Sequence, residues 1–354
     1  MRNRTSGNGL FGSTAAGRRA LTLALAVALV ATAFASALVG SYSMTPDQVL
    51  QAMRAWIFGT ASPDVDGQVL TVLFTIRIPR ILLALSVGAA LAISGAAYQG
   101  VFRNPMVSPD ILGVSNAASV GVALGLLFGW PTLAVHALSF GFGIAAVALV
   151  LAIARATGGR NGSATIVMVL AGVVIGSMGS AVLSLIKYVA DPDNVLPAIT
   201  YWLMGSFARS GNAMNIIFML AALVVGAGAL FIARWKLNAM TFGDEEAQSL
   251  GVNVRATRLT IIAAATLMTS ASVCLCGTIG WVGLIIPHVV RLMVGPNYRS
   301  LLPISLLTGA LFMLVVDDCA RTIVPGELPV GVLTALIGAP LFLVLLFKGR
   351  GQYL

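Results

Sequence analysis

Eight stretches of the chain contain no Asp, Glu, Lys or Arg: residues 20–40, 81–102, 111–154, 161–186, 210–233, 259–290, 300–316 and 328–347. A helix that crosses the hydrocarbon layer needs about 20 predominantly apolar residues, so most of these runs hold one crossing each. A soluble core could not absorb them together. Hydrophobic residues make up 58% of the sequence and charged ones 9%, against roughly 25% charged residues in a soluble domain. The chain therefore reads as an all-α integral membrane protein, one transmembrane domain over residues 1–354.

Two runs are too long for one crossing. The run 111–154 is about twice the required length and carries Gly129-Trp130-Pro131 near its middle, a turn signal at which one helix stops and another begins. The run 259–290 is punctuated in its second half by Gly277, Gly280, Gly283 and Pro287. It reads as a full helix followed by a short or broken one. The length rule then gives about ten spans, with both ends of the chain on one side.

Lys and Arg collect on cytoplasmic loops, which fixes that side. With the N-terminus inside, the inner segments take fifteen of the twenty-one basic residues, from Arg2, Arg4, Arg18 and Arg19 to Arg291, Arg299, Lys348 and Arg350. Arg54, Arg77, Arg80, Lys187, Arg209 and Arg321 remain outside, with eight of the twelve acids. Both termini are thus expected to be cytoplasmic, residues 1–19 forming an inner tail, and the net charge of +9 reflects topology. No clustered basic fold of the nucleic-acid-binding kind accompanies it. Residues 1–19, the first apolar run and Ala35-Ser36-Ala37 imitate a signal peptide, but the run exceeds the usual 7 to 15 apolar residues. It is expected to be a retained span.

Other candidate chemistry is sparse. Cys274 and Cys276 stand two apart in an apolar helix, point about 200° apart and cannot share a metal. Cys319 stands alone, and these thiols read as small packing groups. His136 and His288 lack a second ligand nearby in sequence, so packing or hydrogen bonding is expected of them, and no metal or cofactor is expected. Gly121, Gly125 and Gly129, then Gly172, Gly176 and Ser180, recur every four residues and would give small helix faces for close packing.

The spans hold no central ionisable residues of the kind that coupled carriers keep at membrane depth; Asp317 and Asp318 lie toward one end. Walker A, HExxH and GxSxG patterns are also missing. The chain shows no energy source or catalytic constellation of its own, so a partner would have to supply the energy through a docking element. One inner segment fits. In GDEEAQSLGVNV, residues 243–254, three acids stand together between apolar spans. Acids complement the positive first turn of a helix, and Gly251 suits a left-handed stop. The knot reads as a short surface helix within a loop expected over residues 235–256.

Five blocks then resemble a known family: RIPRILLALSVGAALAISGAAYQGVFRNPMVSPDILGVSNAASVG (77–121), YWLMGSF (201–207), MTFGDEEAQSLGVNV (240–254), GTIGWVGLIIPHVVRLMVGPNYRSLLP (277–303) and ELPVGVLTALIGAPLFLVLL (327–346). They are similar, in order and at family spacing, to FecCD/BtuC-like permease subunits of binding-protein-dependent ABC importers for iron chelates, haem and vitamin B12. The resemblance implies the type II ABC importer permease fold with ten spans, a homodimer or pseudo-dimer, two cytoplasmic ATPases and a periplasmic binding protein. It implies an inner-membrane location and no covalent chemistry in this chain.

Carried over residue by residue, the resemblance assigns ATPase coupling to Gly243, Asp244, Glu245, Glu246, Ala247, Leu250 and Gly251. It assigns binding-protein docking to Arg77, Arg80 and Arg321, whose charges would set orientation and on-rate. It assigns the cytoplasmic gate to Asn104, Met106, Ser163 and Thr165, and the pathway to the spans at 161–186 and 328–347. The expected cargo is an iron chelate, siderophore or haem. Cobalamin or an oxyanion such as molybdate is the alternative on the same architecture, and a secondary carrier is the rival class.

Overall fold

The computed structural model describes residues 14–40, 42–58, 66–157, 163–208, 212–324 and 326–349. Its helices are α1 (Ala15–Leu38), α2 (Pro46–Phe58), α3 (Gly67–Thr71), α4 (Ile78–Val101), α5 (Val114–Leu127), α6 (Thr132–Ala156), α7 (Ser163–Val189), α8 (Val195–Leu203), α9 (Ala213–Met240), α10 (Asp244–Ser249), α11 (Val254–Cys276), α12 (Val282–Val294), α13 (Tyr298–Thr322) and α14 (Val330–Gly349). Among the described residues, seven helical segments are long and apolar enough to cross a membrane, and three shorter apolar ones correspond to α5, α12 and α14. The seven long segments and the three shorter apolar helices fall in the places where the sequence reading expects about ten spans. The break at Gly129 and the short helix after Cys276 fall where the turn signals put them.

The span containing α4 is the centre. It is 89% buried over its most apolar window, and that of α11 is 78% buried, whereas α1 and α7 reach only 11% and 22%. Around α4 lie α9, α11, α12 and α13; α5 packs on α6 and α7. Glycines set how closely these helices approach, because small faces let backbones touch. A Cβ on Gly88 would lie 2.3 Å from the Gly309 carbonyl oxygen on α13, and one on Gly95 would lie 1.7 Å from that of Gly283 on α12. The four-residue repeats act similarly: Gly121 meets the Leu138 backbone and Gly172 the Ile111 carbonyl. Gly129 is different, since nothing lies within 4 Å of its Cβ position and its φ of 64° serves the turn.

Two boundaries depart from the sequence reading. The helix of α4 does not start at the uncharged run but continues back through a π-helical segment, Val72–Arg77, to Gly67. Pro79 lacks an N–H and its ring would collide with the carbonyl four residues earlier; the wider π turn just before it relieves that clash. Likewise α9 runs to Met240, because Leu230, Ala233, Leu237 and Met240 keep burying one face past Arg234 and Lys236. The connecting loop shrinks from the expected 235–256 to 241–253. Of the expected tail 1–19, residues 1–13 lie outside the described residues.

Candidate functional site

At one end of the bundle α10 hangs between α9 and α11. Gly243 precedes it in an extended, positive-φ conformation, and its carbonyl accepts from Ala247 N at 3.1 Å. Asp244, Glu245 and Glu246 occupy the first turn, where carboxylates complement the exposed N–H groups. Asp244 is also tied to α11, both of its oxygens accepting from Arg258 Nη2 at 2.8 and 2.9 Å. The C-terminus closes as a Schellman motif: Gly251 (φ 80°) donates to Gln248 O at 2.9 Å, and Val252 donates to Ala247 O at 3.0 Å. The local chemistry of GDEEAQSLGV thus forms a closed helix of six residues.

Its faces divide the expected coupling residues. Glu245, Glu246, Leu250 and Gly251 point out, with Leu250 55% exposed. Ala247 is a correction: it is fully buried and belongs to the main core, so its side chain anchors α10 and is not presented to a partner. Gly243 is buried too. The sequence reading missed Phe242, which is 75% exposed beside the helix; an aromatic next to a solvent-facing acidic run was the available signal.

The same end is braced internally. The Asn238 side chain on α9 donates to Asn297 Oδ1 at 3.1 Å and accepts from Tyr298 N at 2.9 Å, which joins α9 to the start of α13. Tyr298 Oη reaches Ala96 O on α4 at 3.2 Å, and Arg291 on α12 donates to Gln99 Oε1 at 2.8 Å. Between them lies a cavity of about 230 Å³ bordered by Gln99, Asn104, Thr241, Arg291 and Tyr298.

Asn104 thereby joins that cavity, and its Oδ1 accepts from Met106 N at 2.8 Å. The expected gate is not assembled here. Met106 is 45% exposed and Thr165 half-buried, while the Ser163 side chain lies outside the described residues. No hydrogen bond between the described residues joins Asn104 or Met106 to Thr165. The contact with α7 is made deeper, by the 3-10 turn Pro109–Leu112 against Gly172 and by Asn116 Nδ2 donating to Gly176 O at 3.0 Å. The opposite face of α7, including Val174, Ser177, Met178, Ser184 and Leu185, is exposed.

At the other end the three arginines expected on the outer side form an internal network. Arg80 Nε and Nη2 donate to Asp317 at 2.9 to 3.1 Å, and Arg80 Nη1 spans both oxygens of Glu327 at 2.9 and 3.0 Å. Arg321 donates to Val39 O and Ser36 Oγ, each at 2.8 Å, and contacts Asp318. Arg77 donates to the carbonyls of Ala37 and Tyr42. Arg80 and Arg321 thus pair with Asp317, Asp318 and Glu327, and with Arg77 on backbone carbonyls they clasp α1, α4 and α13. Arg77 and Arg80, expected to meet a binding protein, are only 4% and 6% exposed; Arg80 finds its carboxylate partners within the chain, and Arg77 donates to backbone carbonyls. Ser36, from the signal-like Ala35-Ser36-Ala37, is fully buried in this clasp.

Elsewhere, Cys274 and Cys276 are buried in α11, and His288 is buried in α12 with Nδ1 lacking a hydrogen-bond partner among the described residues. Among the described residues no group of three or more His, Cys, Asp or Glu side chains is placed to hold a metal ion.

Comparison with known proteins accounts for this architecture. The FecCD transport family model matches residues 27–348. The molybdate import system permease protein of Haemophilus influenzae is 40% identical over 92% of this chain and 94% of its own length. A protein of Helicobacter pylori described as a probable iron chelatin transport system permease is also 40% identical, over 79% of this chain and 83% of its own. A solved structure, an inward-facing conformation described as of the metal-chelate ABC transporter type, superposes with a TM-score of 0.82 at 37% identity, covering 93% of this chain and 99% of that one. The chain therefore belongs to the FecCD transport family, as a multi-pass, non-enzymatic permease of the ABC transporter class.

Proposed function

We propose that the chain is the membrane-spanning subunit of an importer powered by ATP hydrolysis on a separate subunit, and that it carries an iron chelate, siderophore or haem, across the inner membrane. In this reading two copies pair around a central pathway. Two cytoplasmic ATPases seat the α10 helices, a substrate-binding protein docks on the opposite face, and both termini lie in the cytoplasm. The observation that carries it is the build of α10. A partner that pushes on a membrane helix needs a rigid handle, and α10 is closed at both ends, anchored by Ala247 and tied to Arg258. Phe242, Glu245 and Leu250 remain facing outward for the partner's cleft.

The push has a route. Because α9 is bonded through Asn238 to Asn297 and Tyr298, and Tyr298 to α4, displacement of α10 loads the central helices together. The exposed face of α7 supports its assignment to the pathway: aliphatic side chains and serine hydroxyls offer many weak contacts, which suits transient passage of a bulky chelate. Ser163 and Thr165 open that helix, and with Asn104 and Met106 they are proposed to close the pathway in another conformation. Arg77, Arg80 and Arg321 would serve docking indirectly, by holding the α1, α4 and α13 ends in place. The oxyanion alternative is favoured by one observation, the near full-length molybdate relative.

The deciding experiment reconstitutes the chain with its ATPase and binding protein in proteoliposomes. ATP-dependent uptake of a ferric chelate is expected. Uptake of molybdate in its place would move the cargo assignment, and gradient-driven flux through the chain alone would overturn the importer reading. Within it, Gly251→Arg should lower ATPase co-purification more than tenfold. The left-handed φ costs a non-glycine residue about 1–2 kcal/mol, but nothing lies within 4 Å of the Cβ position, so the new side chain obstructs only the docking face. Gly251→Ala, with the same strain and little bulk, should retain binding. Full co-purification with the Arg variant would contradict the coupling role.

A further inference from the structure

The pair α1–α13 is closed at one end and open at the other. At the closed end Arg321 bonds Ser36 and Val39. About 22 residues away along α13, or roughly 33 Å at 1.5 Å per residue, the two helices border a groove of about 490 Å³. Its rim carries Arg18 and Arg19 from the start of α1, with Arg299 and Ser300 from the start of α13, and Leu23 and Pro303 form part of its wall.

The rim and the wall ask for different things. Arg19 and Arg299 are exposed, and no ion pair to either occurs among the described residues. The like charges of Arg19 and Arg299 on this rim favour the arrival of an anion. Pro303, inside α13, cannot donate to the carbonyl of Arg299, which leaves an acceptor at the rim for a hydroxyl. Below it the wall is apolar. An occupant must therefore join an anionic, hydrogen-bonding head to a hydrocarbon body, and it must sit where a span leaves the membrane.

We infer that this groove binds one anionic phospholipid, its phosphate held by Arg18, Arg19 and Arg299 and an acyl chain lying between α1 and α13. Basic pockets between spans recognise acidic headgroups in this way. The arginine stems also cover apolar surface while their heads meet the phosphate. The lipid then does at this end what Arg321 does at the other: it joins α1 to the bundle.

The test is native mass spectrometry of the full chain in detergent, titrated with phosphatidylglycerol, cardiolipin or phosphatidylcholine, with inorganic phosphate as a separate arm. One anionic lipid is expected to be retained at least tenfold better than phosphatidylcholine. Arg18→Gln with Arg19→Gln and Arg299→Gln should abolish that preference. Leu23→Trp, which fills the wall and leaves every charge in place, should also weaken retention severalfold, and it stands as the test if the triple variant does not fold. Equal retention of phosphatidylcholine, an unchanged preference in the triple variant, or normal retention with Leu23→Trp would each overturn the site. Displacement of the lipid by millimolar inorganic phosphate would reassign it to a free anion.

Discussion

Asp317→Ala is expected to cost the chain about 3–5 kcal/mol, the usual penalty for removing one partner of a buried ion pair. Asp317 is fully buried and its two oxygens receive three hydrogen bonds from Arg80, itself 6% exposed; Arg321 Nε lies 3.6 Å from Oδ2. Without the carboxylate, Arg80 keeps only Glu327, and an under-compensated guanidinium sits among packed helices. The loss should appear as a lower thermal midpoint in detergent and a smaller monodisperse fraction. Asp317→Leu combined with Arg80→Met should recover much of it, because an apolar pair of similar volume removes both charges together. Asp318→Ala should cost less, since that side chain is 21% exposed and water can replace it. A wild-type midpoint for Asp317→Ala would show that the clasp does not hold the α1, α4 and α13 ends.

The clasp also shows where the sequence stopped being legible. The apolar helices could be read because lipid demands long apolar runs and each run is contiguous. The cap of α10 could be read because its determinants, three acids, an alanine and a glycine, lie within eight residues. Even the unanticipated α2 was written locally: Thr45 and Gln48 exchange the hydrogen bonds of a capping box, with Pro46 between them. Arg80 and Asp317, by contrast, stand 237 positions apart. Nothing around either announces the partner, so the loop bias of basic residues leaves Arg77, Arg80 and Arg321 on the outer side and only the family resemblance gives them a role, docking. The orientation of Ala247 was hidden for another reason. A helix of six residues is too short for its apolar period to declare a face, and the core beneath decides it.

Helix crossings are encoded in the same non-local way, and they predict the largest effect. Gly95→Leu should abolish the folded state. A Cβ at position 95 would stand 1.7 Å from the carbonyl oxygen of Gly283 and 2.7 Å from its Cα; both are backbone atoms, which cannot rotate aside. Relief requires α4 and α12 to separate, but α4 is held seven residues earlier by the crossing of Gly88 and Gly309 and at its far end by Gln99, bonded to Arg291 of α12. The cost should exceed the about 1–3 kcal/mol of an ordinary overpacked core position, and Gly95→Ala should already be harmful. Gly228→Ala on α9 is the control. Nothing lies within 4 Å of that Cβ position, and exchanging a helical glycine for alanine should gain about 0.5–1 kcal/mol. Comparing monodisperse yield and thermal midpoint across the three variants checks the argument, and wild-type values for Gly95→Leu would show that α4 and α12 do not meet backbone to backbone. If they do meet, α4, α12 and α13 form one rigid post, and any motion started at α10 must be taken up by helices packed less closely, α7 foremost among them.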